Sequence, residues 1–382
     1  MKNLWSDEVA KNFKSDLDLR VYTSNLLGQS DELVLHGGGN TSVKTVIDGE
    51  DILLVKGSGW DLVSIKAEGF APVKMKVLLE MAELKSLSDS DMVSGQKAAM
   101  IDKSAPNPSV EAILHAIIPY KVVDHTHADA IVTISNSKTG EENIKKLFPN
   151  FLIVPYIMPG FILASKINEM IRDLDWSKCE GIILHNHGIF TFDDDAKISY
   201  EKMIDAVTLA EEFLQKNAKL ELEKKVPKTF DTQSLNIDEF ININQTPLAL
   251  KYASQENLKE MVTRGVLTPE HIIRTKRVPL VLEDDDIQGA LKNFKDEYES
   301  YFKEFSTDEI MLDANPKYAV IKDFGVVSFG KSQKEADVIN DVVSHTMRAV
   351  LQADKLGGYK SISIKDSFEM EYWELEQAKL KR

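Results

Sequence analysis

The chemistry in this chain starts at Val122–His127, Val-Val-Asp-His-Thr-His. His125 and His127 lie two apart in a run of strand character. Alternate strand residues share a face, so both imidazoles point the same way. Two imidazoles side by side on a rigid strand make half of a transition-metal site. A second apolar run, Ile182–Phe192, carries His185 and His187. These two also share a face and either could ligate, with the Asn186–His187–Gly188 turn favouring His187. Pro-Ser-Val-Glu at the head of an apolar helix supplies Glu111. Three histidines and a carboxylate are the inventory of a catalytic zinc site with room for a substrate oxygen. His115, one turn beyond Glu111, reads as a structural partner.

Two glycine-rich loops carry a different chemistry. In Leu33–Val43, Gly37 to Gly39 lack Cβ atoms, so backbone amides can converge on an anion, and Asn40, Thr41 and Ser42 add donors. No Gly-Lys-Ser/Thr follows, and the next element is a strand, so neither a Walker loop nor a dinucleotide fingerprint fits. The second loop is Lys56-Gly57-Ser58-Gly59. Loops at the ends of neighbouring strands can form opposite sides of one phosphate pocket. A later group, His271, Arg274, Lys276 and Arg277, reads as a solvated loop.

The elements that must position these residues follow from pattern. Ser6 caps a helix expected to run to about Leu27. Thr41–Ile47 and Asp51–Val55 flank an Asp48-Gly49 turn and read as a hairpin. Pro72–Leu84 reads as a helix with proline in its first turn. A helix opens at Pro108 or Ser109 and ends at Pro119, which puts Glu111 in its first turn. Tyr200, Met203, Val207, Ala210 and Leu214 recur at helical steps along Asp195–Leu214. Charge accumulates from Lys216 to Lys228, and the domain boundary is set there, giving residues 1–225 and 226–382. Beyond it, Gly325-Val-Val-Ser-Phe echoes Gly188-Ile-Phe-Thr-Phe, each followed by an amphipathic helix. Phe324 stands where His187 stood, so the second half reads as a degenerate repeat without the metal ligand. The ending from Phe368 to Leu380 reads as a helix suited to a domain or subunit contact.

Composition limits the function classes. The 382 residues carry 61 acidic against 46 basic side chains, a formal charge of −15. That argues against broad binding to nucleic acid or anionic membrane. Cys179 is the single cysteine, which excludes a disulfide framework and a thiolate metal cluster. No apolar run reaches spanning length, and the charged start Met-Lys-Asn-Leu-Trp-Ser-Asp-Glu does not suit a signal peptide. A cytoplasmic protein is expected.

The Gly-Gly-Gly-Asn-Thr-Ser loop, the Gly-Ser-Gly loop, Pro-Ser-Val-Glu, His-Thr-His and Leu-His-Asn-His-Gly occur in this order between Leu33 and Leu214. In that combination the chain resembles the class II aldolase/adducin family. Its length and its ending resemble the aldolase part of the bifunctional rhamnulose-1-phosphate aldolase/short-chain dehydrogenase proteins. The resemblance implies a three-layer α/β/α fold on a mostly antiparallel sheet. It implies a divalent metal, usually zinc, on His125, His127 and His187, with Glu111 as the proton-transfer residue. It carries phosphate binding to Gly39, Asn40, Ser58, Gly59 and Ser109, although Val110 stands where simpler sugar-phosphate aldolases often have a second serine. It implies a fourfold homo-oligomer with sites between subunits. The activity it implies is retro-aldol cleavage of a ketose or sugar phosphate through a metal-stabilised enediolate. A 4-epimerase or dehydratase on the same site, or a non-catalytic adducin-like interaction module, are the alternatives. A separate dehydrogenase is an expected partner.

Overall fold

The computed structural model describes residues 1–238 and 240–376. It divides into two compact units. One comprises Met1–Ile131 and Glu142–Glu212, the other Val132–Glu141 and Phe213–Arg382.

The first unit holds strands β1 (Asn40–Ile47), β2 (Glu50–Lys56), β3 (Phe70–Lys74), β4 (Val122–Thr126), β5 (Phe151–Val154), β6 (Gly181–Leu184) and β7 (Gly188–Asp193). They form one sheet in the order β3-β2-β1-β4-β7-β6-β5. Every neighbouring pair is antiparallel except β5 with β6. Alternation along β2 sends Leu53 and Val55 into one apolar layer and Ile52 and Leu54 into the other. The first layer packs the helices Met75–Ala82, Ala112–Ile117 and Phe161–Met170. The second packs Leu17, Leu19 and Val21 of the helix Asp16–Gly28, together with Ala196 at the start of Ala196–Asn217. The expected three-layer α/β/α arrangement is therefore present, and the helical stripe from Tyr200 to Leu214 is buried.

Three local expectations are corrected. The N-terminal helix is interrupted: a short turn Asp7–Ala10 capped by Ser6 is followed by Asp16–Gly28 capped by Ser15. Two serines offering side-chain acceptors to free amides start two helices where one was expected. Pro72 lies in β3, paired with Leu54, and the helix begins at Met75. Sheet pairing of the flanking residues overrides the helix-start signal of the proline. The helix after Ser109 begins at Ala112, so Glu111 is its N-cap residue (φ −89°, ψ 10°), with no side-chain capping bond. Its carboxylate is thus left for other partners.

The second unit holds β8 (Phe240–Asn244), β9 (Leu280–Leu282), β10 (Tyr318–Ile321) and β11 (Gly325–Gly330), ordered β8-β11-β10-β9. β11 is antiparallel to β8 and β10, and β9 is parallel to β10. The helix Gln333–Asp354 follows. This is the pattern of β4-β7-β6-β5, so the repeat expected from sequence is present as topology. Lys276 and Arg277 do not form a solvated loop. The Lys276 Nζ lies 3.7 Å from buried Glu371 and 3.7 Å above the Tyr298 ring. A helix runs from Ile364 to Glu371, helical residues resume at Glu374–Glu376, and the end of the expected terminal helix lies outside the described residues. No helix among the described residues is long and apolar enough to cross a membrane.

Candidate metal centre

His125 is delivered by β4, opposite Asn40 on β1 and Phe190 on β7. Cross-strand partners project to the same face, so the Asn40 amide and the His125 ring are neighbours by register alone. His127 follows directly after β4. His187 sits in the turn between β6 and β7, where Asn186 takes a left-handed φ of 60°. Asparagine tolerates this conformation better than most residues. A Cβ on the next residue, Gly188, would lie 2.3 Å from the Thr126 carbonyl and 3.1 Å from the His125 ring, so glycine lets the turn close against β4. Gly39, at φ 64°, approaches the His125 carbonyl in the same way: an added Cβ would sit 2.7 Å from it.

The result is a convergent group. One nitrogen each from His125, His127 and His187 lies within 4.8 Å of the others. The Nε2 atoms of His125 and His127 are 3.1 Å apart, close to the roughly 3.3 Å that two nitrogens adopt on a tetrahedral zinc ion. His185, the alternative in the sequence, is not in this group. The His125 Nδ1 faces the Ile189 carbonyl at 3.1 Å. That carbonyl takes the Nδ1 hydrogen and leaves Nε2 with its lone pair turned inward, the arrangement found in metal-ligating histidines. Phe190 stacks on the His125 ring with centroids 4.0 Å apart and fixes its plane. Glu111, 6% exposed, brings Oε2 to 3.4 Å from His125 Nε2 and Oε1 to 3.7 Å from His187 Nε2. Neutral nitrogen donors and a buried carboxylate fit a divalent cation of the zinc type.

On the other face of β4, Asp124 is held by Arg20 and by the Ser199 hydroxyl, all buried. These bonds fix the strand from behind while His125 faces forward.

The glycine-loop residues gather on the Glu111 side. The Ser58 amide donates to the Asn107 carbonyl at 2.8 Å, and the Ser109 amide donates to the Lys56 carbonyl at 3.0 Å. These bonds tie the Gly-Ser-Gly loop to the segment leading into Glu111. The Asn40 Nδ2 donates to Glu111 Oε2 at 2.6 Å and to Ser109 Oγ at 3.1 Å. Both hydrogens of that amide thus have acceptors. Gly59, at φ 87°, has open space where a Cβ would stand.

Two residues carry more here than their sequence reading gave them. Lys56 is buried and reaches the Gly37 carbonyl at 3.1 Å, joining the two glycine loops. Burial pushes its amine down to about 8, with Asp61 and Glu111 acting in the opposite direction. Its signal was a lysine closing the apolar strand just before Gly-Ser-Gly. His115 is fully buried between Ser42 and Asn40. Burial, then the neighbouring His125, holds it well below the ordinary imidazole range, so it is neutral. Its position one helical turn from Glu111 was the available signal.

The Class II Aldolase and Adducin N-terminal domain matches residues 20–214, and the Aldolase class II, second domain matches residues 227–380. The chain belongs to the class II aldolase and adducin family. It resembles the structure of the N-terminal class II aldolase domain of a conserved protein from Thermoplasma acidophilum. The two share 41% identity with a TM-score of 0.52, over 56% of this chain and 99% of that one. It is also 29% identical, over its whole length, to the uncharacterized oxidoreductase YuxG of Bacillus subtilis (strain 168). The chain spans 60% of the length of that relative.

Proposed function

We propose that this protein is a metal-dependent lyase that cleaves or forms a carbon–carbon bond in a ketose or sugar phosphate. The observation that carries this reading is the convergence of three imidazole nitrogens within 4.8 Å beside the Glu111 carboxylate. His125, His127 and His187 would hold a divalent metal of the zinc type. When bound, such an ion would supply Lewis-acid stabilisation of negative charge on the substrate oxygens. Glu111 gives a proton to the substrate carbon after cleavage and removes it in the condensation direction. Gly39, Ser58, Gly59 and Ser109 line the pocket for the phosphate or a hydroxyl-rich substrate end, and Lys56 provides its cation. Asn40, placed in that pocket from sequence, has its side-chain amide engaged by Glu111 and Ser109 and serves the carboxylate.

Domain organisation, assembly and setting belong to the same proposal. Residues 1–225 carry the chemistry, and 226–382 form a degenerate second half in which Phe324 stands at the turn position of His187. The protein works in the cytoplasm as a homo-oligomer, a tetramer. A dehydrogenase acts on the released aldehyde, a pairing suggested by the relative described as an oxidoreductase.

The test is metal analysis of the purified protein together with a screen of ketose phosphates and free ketoses. One bound divalent ion per chain and two carbonyl fragments from one ketose are expected. A product that keeps its carbon skeleton would replace the aldolase reading with epimerase or dehydratase chemistry. Protein that takes up no metal would favour a non-catalytic interaction module.

A further inference from the structure

Four buried side chains form a continuous hydrogen-bonded chain that ends on the carboxylate. Ser42 Oγ lies 2.7 Å from His115 Nδ1. His115 Nε2 meets Asn40 Oδ1. Asn40 Nδ2 donates to Glu111 Oε2 at 2.6 Å and to Ser109 Oγ at 3.1 Å. The chemistry of the groups fixes the sense of each bond. An ionised carboxylate only accepts, so Asn40 must turn its NH2 toward Glu111 and its carbonyl toward His115. His115 must then carry its hydrogen on Nε2, and its Nδ1 accepts from the Ser42 hydroxyl. The opposite amide orientation would set a carbonyl oxygen against the carboxylate and an NH2 against the ring N–H. The carboxylate thus sets the orientation of Asn40, and His115, donating from Nε2 to the Asn40 carbonyl, holds it there.

The two carboxylate oxygens are made unequal by this. Oε2 accepts from Asn40, whereas Oε1 is buried without a hydrogen-bond partner. Oε1 is the carboxylate oxygen not held by the Asn40 amide, and it faces the histidine group, 3.7 Å from His187 Nε2.

We propose that His115 is a positioning residue for Glu111: acting through Asn40, it fixes Oε2 and leaves Oε1 as the oxygen that exchanges a proton with substrate. The proton step rests on the lyase reading; the orienting link from His115 to Glu111 does not. The link predicts a role for His115 that burial alone would not give, because a glutamine can replace it. The terminal amide of glutamine reaches where Nε2 stands and still donates.

The experiment compares His115→Leu with His115→Gln in the full chain, metal-loaded. Asparagine-selective ¹⁵N labelling reads the Asn40 side-chain amide, assigned by its loss in Asn40→Ser. The wild-type amide, with one hydrogen on a carboxylate, is expected to give two well-separated proton shifts. His115→Gln should keep that separation and His115→Leu should collapse it. Where turnover is measurable, His115→Leu should lower kcat on the order of tenfold to a hundredfold, as a misplaced catalytic group does. KM and metal content should stay unchanged, and His115→Gln should restore most of the rate. If His115→Leu fails to fold, His115→Asn, with its donor one atom short, takes its place. An unaltered Asn40 amide in the leucine variant, or equal losses in the leucine and glutamine variants, would overturn the proposal. A wild-type protein without turnover on any carbonyl substrate would remove the role of Oε1 with the lyase reading, and the Asn40 spectrum would still decide the His115 link.

Discussion

The β4-β7-β6-β5 half-sheet and the β8-β11-β10-β9 sheet are built alike and furnished differently. In both, two antiparallel pairings flank the strand after a tight turn, and a parallel strand closes the edge. In both, the turn has a left-handed residue, Asn186 at φ 60° and Asp323 at φ 59°. A 22-residue helix follows each. By register, His125 pairs with Phe190 on β7, and Ile243 pairs with Val327 at the matching place on β11. Phe324 takes the turn position of His187 and lies in an apolar cluster with Phe329 and Leu280. Gln245, two residues after Ile243, donates to the Phe324 carbonyl at 3.2 Å. Three ring nitrogens meet in the first region; in the second, an isoleucine, a glutamine and a phenylalanine stand at the same positions. The backbone geometry is a property of pairing and turn chemistry, while the site depends on which side chains that geometry carries.

The difference between the two regions centres on His187. His187→Phe, which copies the second region into the first, should remove one ligand, with metal content falling to background and aldol cleavage lost with it. Retention of stoichiometric metal by this variant would show that the residue at this turn position is not what separates the regions. Glu111→Gln should retain metal and fold while lowering kcat about 10²- to 10⁴-fold, the range for a general acid–base group. Full turnover by this variant would contradict the assignment.

A third outcome concerns what stabilises the second region. Lys276 and Glu371 are both buried, and burial pushes the Lys276 amine down to about 8 and the Glu371 carboxyl up. Lys276→Met should destabilise that unit by about 3–5 kcal/mol, as breaking a buried ion pair does. Chemical denaturation followed by Trp fluorescence and circular dichroism measures this, and no change in midpoint would discount the pair. A smaller effect comes from Lys56. Its depressed value, about 8, means the cation is present below that pH and is lost as pH rises through it. KM for a phosphorylated substrate should therefore climb above about pH 8 in the wild type and stay flat in Lys56→Gln. The least effect is expected from Phe324→His: one imidazole beside Ile243 and Gln245 supplies no second ligand, so metal stoichiometry should not rise.

Much of this is legible in the sequence. The His-x-His spacing placed two rings on one face because strand periodicity is local. The hairpin over the Asp48-Gly49 turn was legible for the same reason, and β1 and β2 pair from Ile47↔Glu50 outward. The repeat was visible in a short echo because turn residues and apolar runs are what a β-hairpin needs. The errors occurred where local signals compete with long-range pairing. Pro72 has a helix-start signal, but its neighbours pair with β2. Ser15 divides a helix that hydrophobic pattern alone would run together. Lys276 and Arg277 read as solvated because charge in a polar stretch usually is, and nothing nearby in sequence announces Glu371.

The sequence by itself determined the ligand inventory, the glycines that allow close approach and the family to which the chain belongs, because residue type and spacing within one strand or turn are local facts. Only the tertiary structure decided that His187 and not His185 joins His125 and His127. It alone showed that Asn40 and His115 address Glu111, and that Lys56 bridges the two glycine loops. Those choices depend on strand register and turn closure, which bring together residues dozens of positions apart, and no periodicity within either segment encodes the distance between them.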